Sequence, residues 1–195
     1  MPITVSKYID TIESGTIFIA DDIDTQSSYD SVKTQLSQAC SSGRIERIYH
    51  GIYRKPKFND RLGMYVPSNI DSIARTIARQ NGWRIIPGGD QCLNILGLST
   101  QVPSKYQYLS DGPYKEYDIQ GSHIEFKHRV PKNFPENELT AIVIQAICAQ
   151  GKNNCDDAFV ERLSRSINDD DKITVLDNIG RPSAWIENVI KRAFA

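Results

Sequence analysis

The stretch from Ser27 to Pro56 constrains this chain more than any other, because it combines a short amphipathic helix with a basic hairpin. Val32, Leu36, Ala39 and Cys40 recur at spacings of three and four, which predicts a helix with one apolar stripe and with Tyr29 at its edge. Gly43 follows, and glycine tolerates the left-handed conformation that ends a helix. A helix that ends at a glycine and leads directly into a hairpin is typical of the second half of a winged helix-turn-helix.

The outer face of this predicted helix carries hydroxyl and amide side chains and almost no charge. Ser27 or Ser28 is expected to cap the helix, and Asp30 falls in the first turn, where the helix dipole favours a carboxylate. Hydroxyls and amides bond base edges in the major groove. The alternative is a solvated face, which usually carries more lysine and glutamate. We predict base contacts from Ser27, Ser31, Thr34, Gln35 and Gln38.

The hairpin predicted after the helix is rich in cations. Apolar and polar residues alternate from Arg44 to Tyr49, His50-Gly51 supplies a two-residue turn, and Ile52 to Arg54 forms the return strand. Cations on such a wing bind phosphate, which fixes the register of the protein on DNA. The alternative is an edge hairpin that charge protects from aggregation. Beside the helix, the pattern predicts phosphate contacts from Arg44, Arg47, His50, Arg54 and Lys55.

The net charge of −1 excludes a general attraction to nucleic acid, so DNA affinity must come from a local basic patch. The four cysteines form no Cys-x-x-Cys pair, and the first residues contain no apolar core of signal-peptide length. The longest apolar stretch, residues 141–149, is too short to cross a bilayer. These features predict a cytoplasmic protein without a disulfide framework.

A polar connector at residues 57–68, with a proline near each end, is the predicted domain boundary. The predicted class is α+β, with an N-terminal winged helix-turn-helix at residues 1–58 and a mixed α/β domain with a helical C-terminus at residues 66–195. Helices are predicted at residues 5–13, 20–23, 70–80, 90–96, 138–150, 156–167, 169–178 and 183–194. Beyond the hairpin, strands are predicted at residues 83–86, 106–110, 117–119 and 124–127.

The segment from Asn94 to Pro113, NILGLSTQVPSKYQYLSDGP, resembles AbiEi-type antitoxins of bacterial type IV toxin–antitoxin systems, in the DUF6088 branch. In that branch a helix ending N-x-L-G-L-S-T-Q-V-P leads to a strand ending T-D-G, and Ser110 here replaces the threonine. The resemblance extends to the hairpin run GRIERIYHGIY and to the Pro-Ser-Ala-Trp run that ends at Trp185. The chain departs from the family at Ile19-Ala20, where a capping serine or threonine is usual, so the second helix is expected to be frayed or shifted.

The resemblance implies a regulator that is encoded beside a nucleotidyltransferase-like toxin. Its winged helix is expected to repress the shared operon at inverted repeats in double-stranded DNA, and its C-terminal domain to act as the antitoxin. A stable complex with the toxin is not required in such systems. A palindromic operator needs two copies of the protein, as a dimer or as two monomers placed by the DNA. We predict neither a cofactor nor an enzymatic activity.

Two other functions are compatible with the sequence. Asp111, followed by Glu125 and Lys127, has the spacing of restriction-type nucleases, in which two carboxylates hold Mg²⁺ and a lysine polarises water. An exposed strand with a neighbouring ion pair produces the same pattern.

The histidines have no i,i+4 partner, so no metal site is predicted. The remaining possibility is a protein-interaction module that uses the winged helix as its docking surface.

Overall fold

The structure, a computed structural model, describes residues 2–129 and 135–194 and divides into two compact units. The first unit comprises the residues up to Gly82 together with Ile119–Gly121, and the second comprises Trp83–Asp118 and the residues from Ser122 onward. Both units combine helices with strands, so the predicted mixed class is confirmed. The domain limits at residues 1–58 and 66–195 stay a prediction.

The first unit is built from short elements. Its helices are α1 (Val5–Thr11), α2 (Tyr29–Ser41) and α3 (Ile70–Asn81). Its strands are β1 (Ile17–Ile19), β2 (Glu46–Tyr49), β3 (Ile52–Arg54), β4 (Phe58–Asn59) and β5 (Met64–Tyr65). β1, β3 and β2 form an antiparallel sheet in that order, and β4 pairs with β5 inside the segment predicted only as a polar connector.

The second helix predicted at residues 20–23 is a 3₁₀ turn of three residues, Ala20–Asp22. No hydroxyl caps this turn. The Asp22 carboxylate instead accepts from the Ile19 amide at 2.9 Å and pairs with Arg79 of α3 at 2.7 Å. The departure from the family pattern at this point therefore coincides with a helix shortened to one 3₁₀ turn. Asp22, the last residue of that turn, binds the amide of the residue before the turn.

One apolar core holds α1, α2 and the three-stranded sheet together. Val32, Leu36 and Ala39 of α2 are buried, which confirms the predicted apolar stripe. The rings of Tyr8 and Phe18 meet edge-to-face with centroids 5.4 Å apart, a geometry that aromatic pairs favour. The buried members of this cluster are Val5, Ile9, Phe18, Ile23, Val32, Leu36, Ala39, Ile45 and Tyr53.

The second unit has a sheet and a helical layer. Its strands are β6 (Ile85–Gly88), β7 (Tyr106–Ser110), β8 (Lys115–Ile119) and β9 (Ser122–His128). They lie in the order β6-β7-β9-β8, with β6 antiparallel and β9 parallel to β7. Its helices are α4 (Gln91–Ile95), α5 (Glu138–Gln150), α6 (Asp157–Arg165), α7 (Asp169–Asp177) and α8 (Ala184–Phe194).

The predicted helical C-terminus is confirmed. Helix α5 packs against α4, α7, α8 and strand β6, and its buried apolar residues share one core cluster with residues of α4, α6, α7 and α8. Across residues 2–129 and 135–194, no helix combines the length and apolar character needed to cross a membrane.

Aromatic rings cover one face of the sheet around Phe126. The ring of Phe126 lies 5.6 Å from that of Trp83, 5.8 Å from that of Tyr108 and 5.7 Å from that of Tyr117. The buried backbone of Gly112 lies directly against the Trp83 indole. A β-carbon at this glycine would stand 2.5 Å from two ring atoms of Trp83, closer than atoms can approach.

Replacing Gly112 with alanine is therefore expected to lower the free energy of unfolding by about 1–3 kcal/mol, because the added methyl displaces a packed ring. Urea denaturation followed by circular dichroism measures this loss. Gly88→Ala is the matched control, since its β-carbon would lie 3.5 Å from Leu109, an ordinary contact. Equal urea midpoints for the two variants would show that the Trp83 ring moves aside without any loss of stability.

Candidate nucleic-acid interface

Helix α2 has a defined start and a defined end. Ser28 is its cap, and the hydroxyl accepts from the Ser31 amide at 3.4 Å. At the other end Gly43 adopts a φ of 73°, and the amides of Gly43 and Arg44 each donate to a carbonyl of the last turn at 3.0 Å. This pair of bonds is the Schellman arrangement, which fixes the direction in which the chain enters the hairpin.

The five residues predicted to contact bases lie together along the outer side of α2 and its cap. Ser27, Thr34 and Gln38 are exposed, while Ser31 and Gln35 are half-buried. The Gln35 amide donates to the Ser31 hydroxyl at 3.1 Å, and the Thr34 hydroxyl donates to the carbonyl one turn earlier at 2.9 Å. This side of the helix therefore offers mainly hydroxyl and amide groups, with the exposed carboxylate of Asp30 in the first turn, one turn before Thr34.

Strands β2 and β3 form the predicted hairpin. Its turn is His50-Gly51, and Gly51 has the positive φ, 75°, for which glycine was expected there. The pairing is irregular between Arg47 and Tyr49, where one extra residue bulges out of β2. Arg47 and His50 are both exposed. Two of the five predicted phosphate-binding side chains are therefore accessible near the tip of the hairpin.

Arg54, a third predicted phosphate ligand, is buried with 4% of its surface exposed. It lies on β3, which is covered on both edges by β1 and β2. Its guanidinium donates to the carbonyl of Val66 and lies 3.7 Å from the carboxylate of Glu46, the residue opposite it on β2. A guanidinium held in this way cannot reach a phosphate without breaking these contacts, so Arg54 is left out of the candidate phosphate set.

Arg44 and Lys55, the other two predicted phosphate ligands, bind α1. Arg44 pairs with Asp10 at 2.7 Å. The Lys55 ammonium group donates to the carbonyls of Ile9 and Ile12 at 2.8 and 2.9 Å, at the end of α1 where carbonyls lack partners within the helix. Both cations therefore connect the base of the hairpin to α1.

A cleft of about 320 Å³ lies between α2 and the hairpin and places a lysine of α2 beside two hairpin residues that were already predicted to bind phosphate. Lys33 from α2 lines it together with Arg47 and His50 from the hairpin, and Asp21 adds one carboxylate. Within the part of the chain that the structure describes, neither Lys33 nor Arg47 forms an ion pair. We call this feature the basic cleft; its full lining is Ile19, Ala20, Asp21, Tyr29, Lys33, Ser37, Arg47, His50, Gly51, Tyr53 and Gln80.

Lys33 belongs to a side of α2 for which no DNA contact was predicted. It follows Tyr29 by four residues and precedes Ser37 by four, so the three side chains form a second stripe beside the predicted outer face. Its ammonium group lies 4.2 Å from the centre of the exposed Tyr29 ring. The i,i+4 spacing of this stripe is visible in the sequence. Only the structure shows that this stripe, and not the predicted outer face, lies beside the hairpin.

The three residues of the nuclease pattern are not brought together. Lys127 and Glu125 do share one side of β9, as predicted, with their charged groups 3.6 Å apart. Gln107 is the register partner of Glu125, so Asp111 lies four residues, roughly 13 Å, further along the sheet. The Asp111 carboxylate accepts from the Arg84 amide at 2.8 Å and serves as a turn residue. Ligands of one Mg²⁺ must lie about 2 Å from the ion, which this separation prevents.

Glu125 is instead a buried carboxylate at the centre of a cluster whose cations are partly exposed. It is 4% exposed, accepts from the Tyr114 hydroxyl at 2.7 Å, and has the ammonium groups of Lys127 and Lys105 at 3.6 and 4.0 Å. Burial raises the pKa of Glu125, but the Tyr114 hydrogen bond and the two lysines outweigh burial and hold that pKa below its ordinary value. Hydrogen bonds to Glu116 and Glu125 raise the pKa of Tyr114. The arrangement stabilises the ionised form of Glu125.

No group of three or more histidine, cysteine, aspartate or glutamate side chains suited to a metal ion occurs in residues 2–129 and 135–194. A family model described as "Family of unknown function (DUF6088)" matches residues 4–175, from the cap of α1 into α7. No curated protein and no solved structure matches the chain. The description of the family names no activity, so the basic cleft and the face of α2 are the basis for assigning one.

Proposed function

We propose that this chain, which belongs to the DUF6088 family, is a DNA-binding transcriptional regulator whose first unit acts as a winged helix-turn-helix. In this assignment α1, the 3₁₀ turn and α2 form the helical part, α2 is the recognition helix, and the β2–β3 hairpin is the wing. The antiparallel sheet that joins β1 to the hairpin supports the assignment, because it connects the wing to the helical part through backbone hydrogen bonds.

The basic cleft is the observation that carries this proposal. Lys33, Arg47 and His50 come from two different elements and line one concave surface of a size to hold a phosphate group. Phosphate contacts fix the register of a protein on the duplex, and side chains beside them can then reach base edges. The hydroxyl and amide side chains of the outer face of α2 lie on the helix that also supplies Lys33. One duplex could therefore engage both surfaces.

The proposed interface differs from the predicted one in its cations. Arg47 and His50 remain as phosphate ligands, and Lys33 joins them. Arg44, Arg54 and Lys55 are assigned to the support of the fold. The proposed base contacts are unchanged and comprise Ser27, Ser31, Thr34, Gln35 and Gln38. An operator with inverted repeats would take one copy of the protein on each half-site.

The resemblance to AbiEi-type antitoxins extends the proposal to a biological role. We infer that the protein is the antitoxin and autorepressor of a bacterial toxin–antitoxin operon and works in the cytoplasm. The toxin would be nucleotidyltransferase-like, and the second unit would counter it without a requirement for a stable complex. The separation of Asp111 from Glu125 supports a role without Mg²⁺-dependent catalysis.

Fluorescence anisotropy tests DNA binding. The full chain is titrated into a labelled duplex from upstream of its own gene and into a shuffled duplex of equal composition, across a salt series. We expect the upstream duplex to bind at least about 10³-fold more tightly than the shuffled one, which is typical of specific recognition. Equal and weak binding to both duplexes would contradict the proposal and favour the protein-docking alternative.

The variant Thr34→Ala/Gln38→Ala separates base recognition from phosphate binding within the same assay. Loss of these polar groups should reduce the ratio of the affinity for the upstream duplex to the affinity for the shuffled duplex. The salt dependence of binding should stay unchanged. Thr100→Ala/Gln101→Ala, which removes the same two side-chain types from exposed positions of the second unit, is the matched control. An unchanged ratio for the α2 variant would assign base recognition to another surface.

A further inference from the structure

A second concave feature lies in the second unit, on residues that the proposed function does not use. Its volume is about 570 Å³, within the roughly 300–1,000 Å³ of pockets that hold small molecules. We call it the arginine cavity. Its lining consists of Ile86, Leu109, Arg129, Pro135, Ile144, Gln145, Ile179, Gly180, Arg181 and Pro182.

The apolar part of the arginine cavity is supplied by regular elements. Ile86 lies on β6, Leu109 on β7 and Ile144 on α5. Ile86 is the register partner of Leu109, and both pack with buried Ala141 of α5. A floor built on two paired strands and a helix keeps its shape when empty, so a ligand would meet a preformed apolar surface.

The polar part consists of two arginines and one glutamine. Arg129 and Arg181 are both exposed, and neither forms an ion pair or a side-chain hydrogen bond with any residue in 2–129 or 135–194. The backbone of Arg129 is held by a hydrogen bond, since its amide donates to the Ser110 carbonyl at 2.7 Å. Arg181 follows Gly180, which turns the chain with a φ of 66°. Both arginines line the cavity, and among the described residues no acceptor occupies their guanidinium groups.

We propose that the arginine cavity binds a small amphiphilic anion. A carboxylate or phosphate group would bind the guanidinium groups of Arg129 and Arg181, whose planar forks match both anions. The remainder of the ligand would lie on Ile86, Leu109 and Ile144. A purely inorganic anion leaves this apolar floor unused, and an uncharged apolar molecule leaves the arginines unused. This site lies in the second unit and uses none of the residues proposed to contact DNA.

A titration of the full chain followed by ¹H–¹⁵N correlation spectra tests the proposal. The probes are 4-phenylbutyrate, phenyl phosphate, the uncharged 4-phenylbutanamide and inorganic phosphate. We expect an aromatic anion to bind with a dissociation constant of about 1 mM, in line with the efficiency of small ligands, and to shift the Gly180 amide and the Gln145 side-chain amide. The amide probe and inorganic phosphate should each bind roughly tenfold more weakly or worse, because each lacks one half of the interaction.

The ratio between 4-phenylbutyrate and phenyl phosphate distinguishes a carboxylate from a phosphate as the preferred head group. The double variant Arg129→Gln/Arg181→Gln should lower the affinity for the preferred anion at least about tenfold. Lys152→Gln/Arg162→Gln is the matched control, since it removes two exposed cations of the same unit outside the cavity and should bind like the parent. Three results would overturn the proposal: equal affinity for the anion and the amide, full affinity in the Arg129/Arg181 variant, or shifts that avoid Gly180 and Gln145.

Discussion

Replacing Lys33 and Arg47 together with alanine is expected to weaken DNA binding about 30-fold at 0.15 M salt, on specific and shuffled sequences alike. Each phosphate contact releases counterions and contributes roughly five- to sixfold at this salt concentration. The loss of two contacts should also reduce the slope of log affinity against log salt by about 2. Both residues line the basic cleft, and neither is engaged in an ion pair within the described ranges.

The matched control for this experiment is Lys152→Ala/Arg162→Ala, which removes the same charge from exposed positions of the second unit. It should leave the salt slope unchanged and affect affinity only through net charge. Urea denaturation should show that all variants are folded, because both interface side chains are exposed. If the Lys33/Arg47 variant keeps its affinity and slope, the basic cleft does not bind phosphate.

Replacing Arg54 with methionine is expected to destabilise the first unit by about 2–4 kcal/mol without changing the salt slope of DNA binding. Methionine keeps much of the length of the side chain but cannot donate. The Val66 carbonyl would then lose its partner, and the Glu46 carboxylate would lose the charge 3.7 Å away. The midpoint of urea unfolding measures the loss, and anisotropy at a temperature where the variant stays folded measures binding.

Arg61→Met is the control for this second prediction, because Arg61 is an exposed arginine of the same unit. It should change stability by no more than about 0.5 kcal/mol. The opposite result would restore the phosphate-binding role predicted from the sequence. In that case Arg54→Met would be as stable as the parent, and its slope of log affinity against log salt would fall by about 1, the equivalent of one phosphate contact.

Local features of the fold were predictable because local chemistry determines them. The stripe of Val32, Leu36 and Ala39 predicted α2, and Gly43 predicted its end. The His50-Gly51 turn predicted the hairpin. These features depend on spacing and on backbone freedom within a few residues, which any sequence displays directly.

Features that depend on distant partners were not predictable in the same way. Arg54 was expected to be exposed because it ends a basic hairpin, but β1 joins β3 from a remote part of the chain and makes β3 the central strand. The parallel pairing of β9 with β7 likewise separates Asp111 from Glu125, although the linear spacing resembles a nuclease pattern. Sheet order is a property of the whole fold, and short-range patterns do not contain it.

Lys33 is a third case, because its stripe on α2 is visible in the sequence but the position of that stripe beside the hairpin is not. The Tyr29, Lys33 and Ser37 spacing marks a stripe on α2, and a helix with two polar stripes does not show which one adjoins the hairpin. The Schellman end at Gly43 decides this by directing the chain to one side of α2. The location of the basic cleft therefore follows from the geometry of one turn.

The attachment of the hairpin to α1 has a consequence for the thermodynamics of recognition. Lys55 closes the last turn of α1 and Arg44 pairs with Asp10, so two points at the base of the hairpin are anchored in the free protein. Ordering the hairpin therefore lowers conformational entropy during folding, and the proposed association with DNA would not have to order it again. In the proposed complex such a surface would meet the duplex almost as a rigid body, and the released counterions would be the main entropic gain on binding.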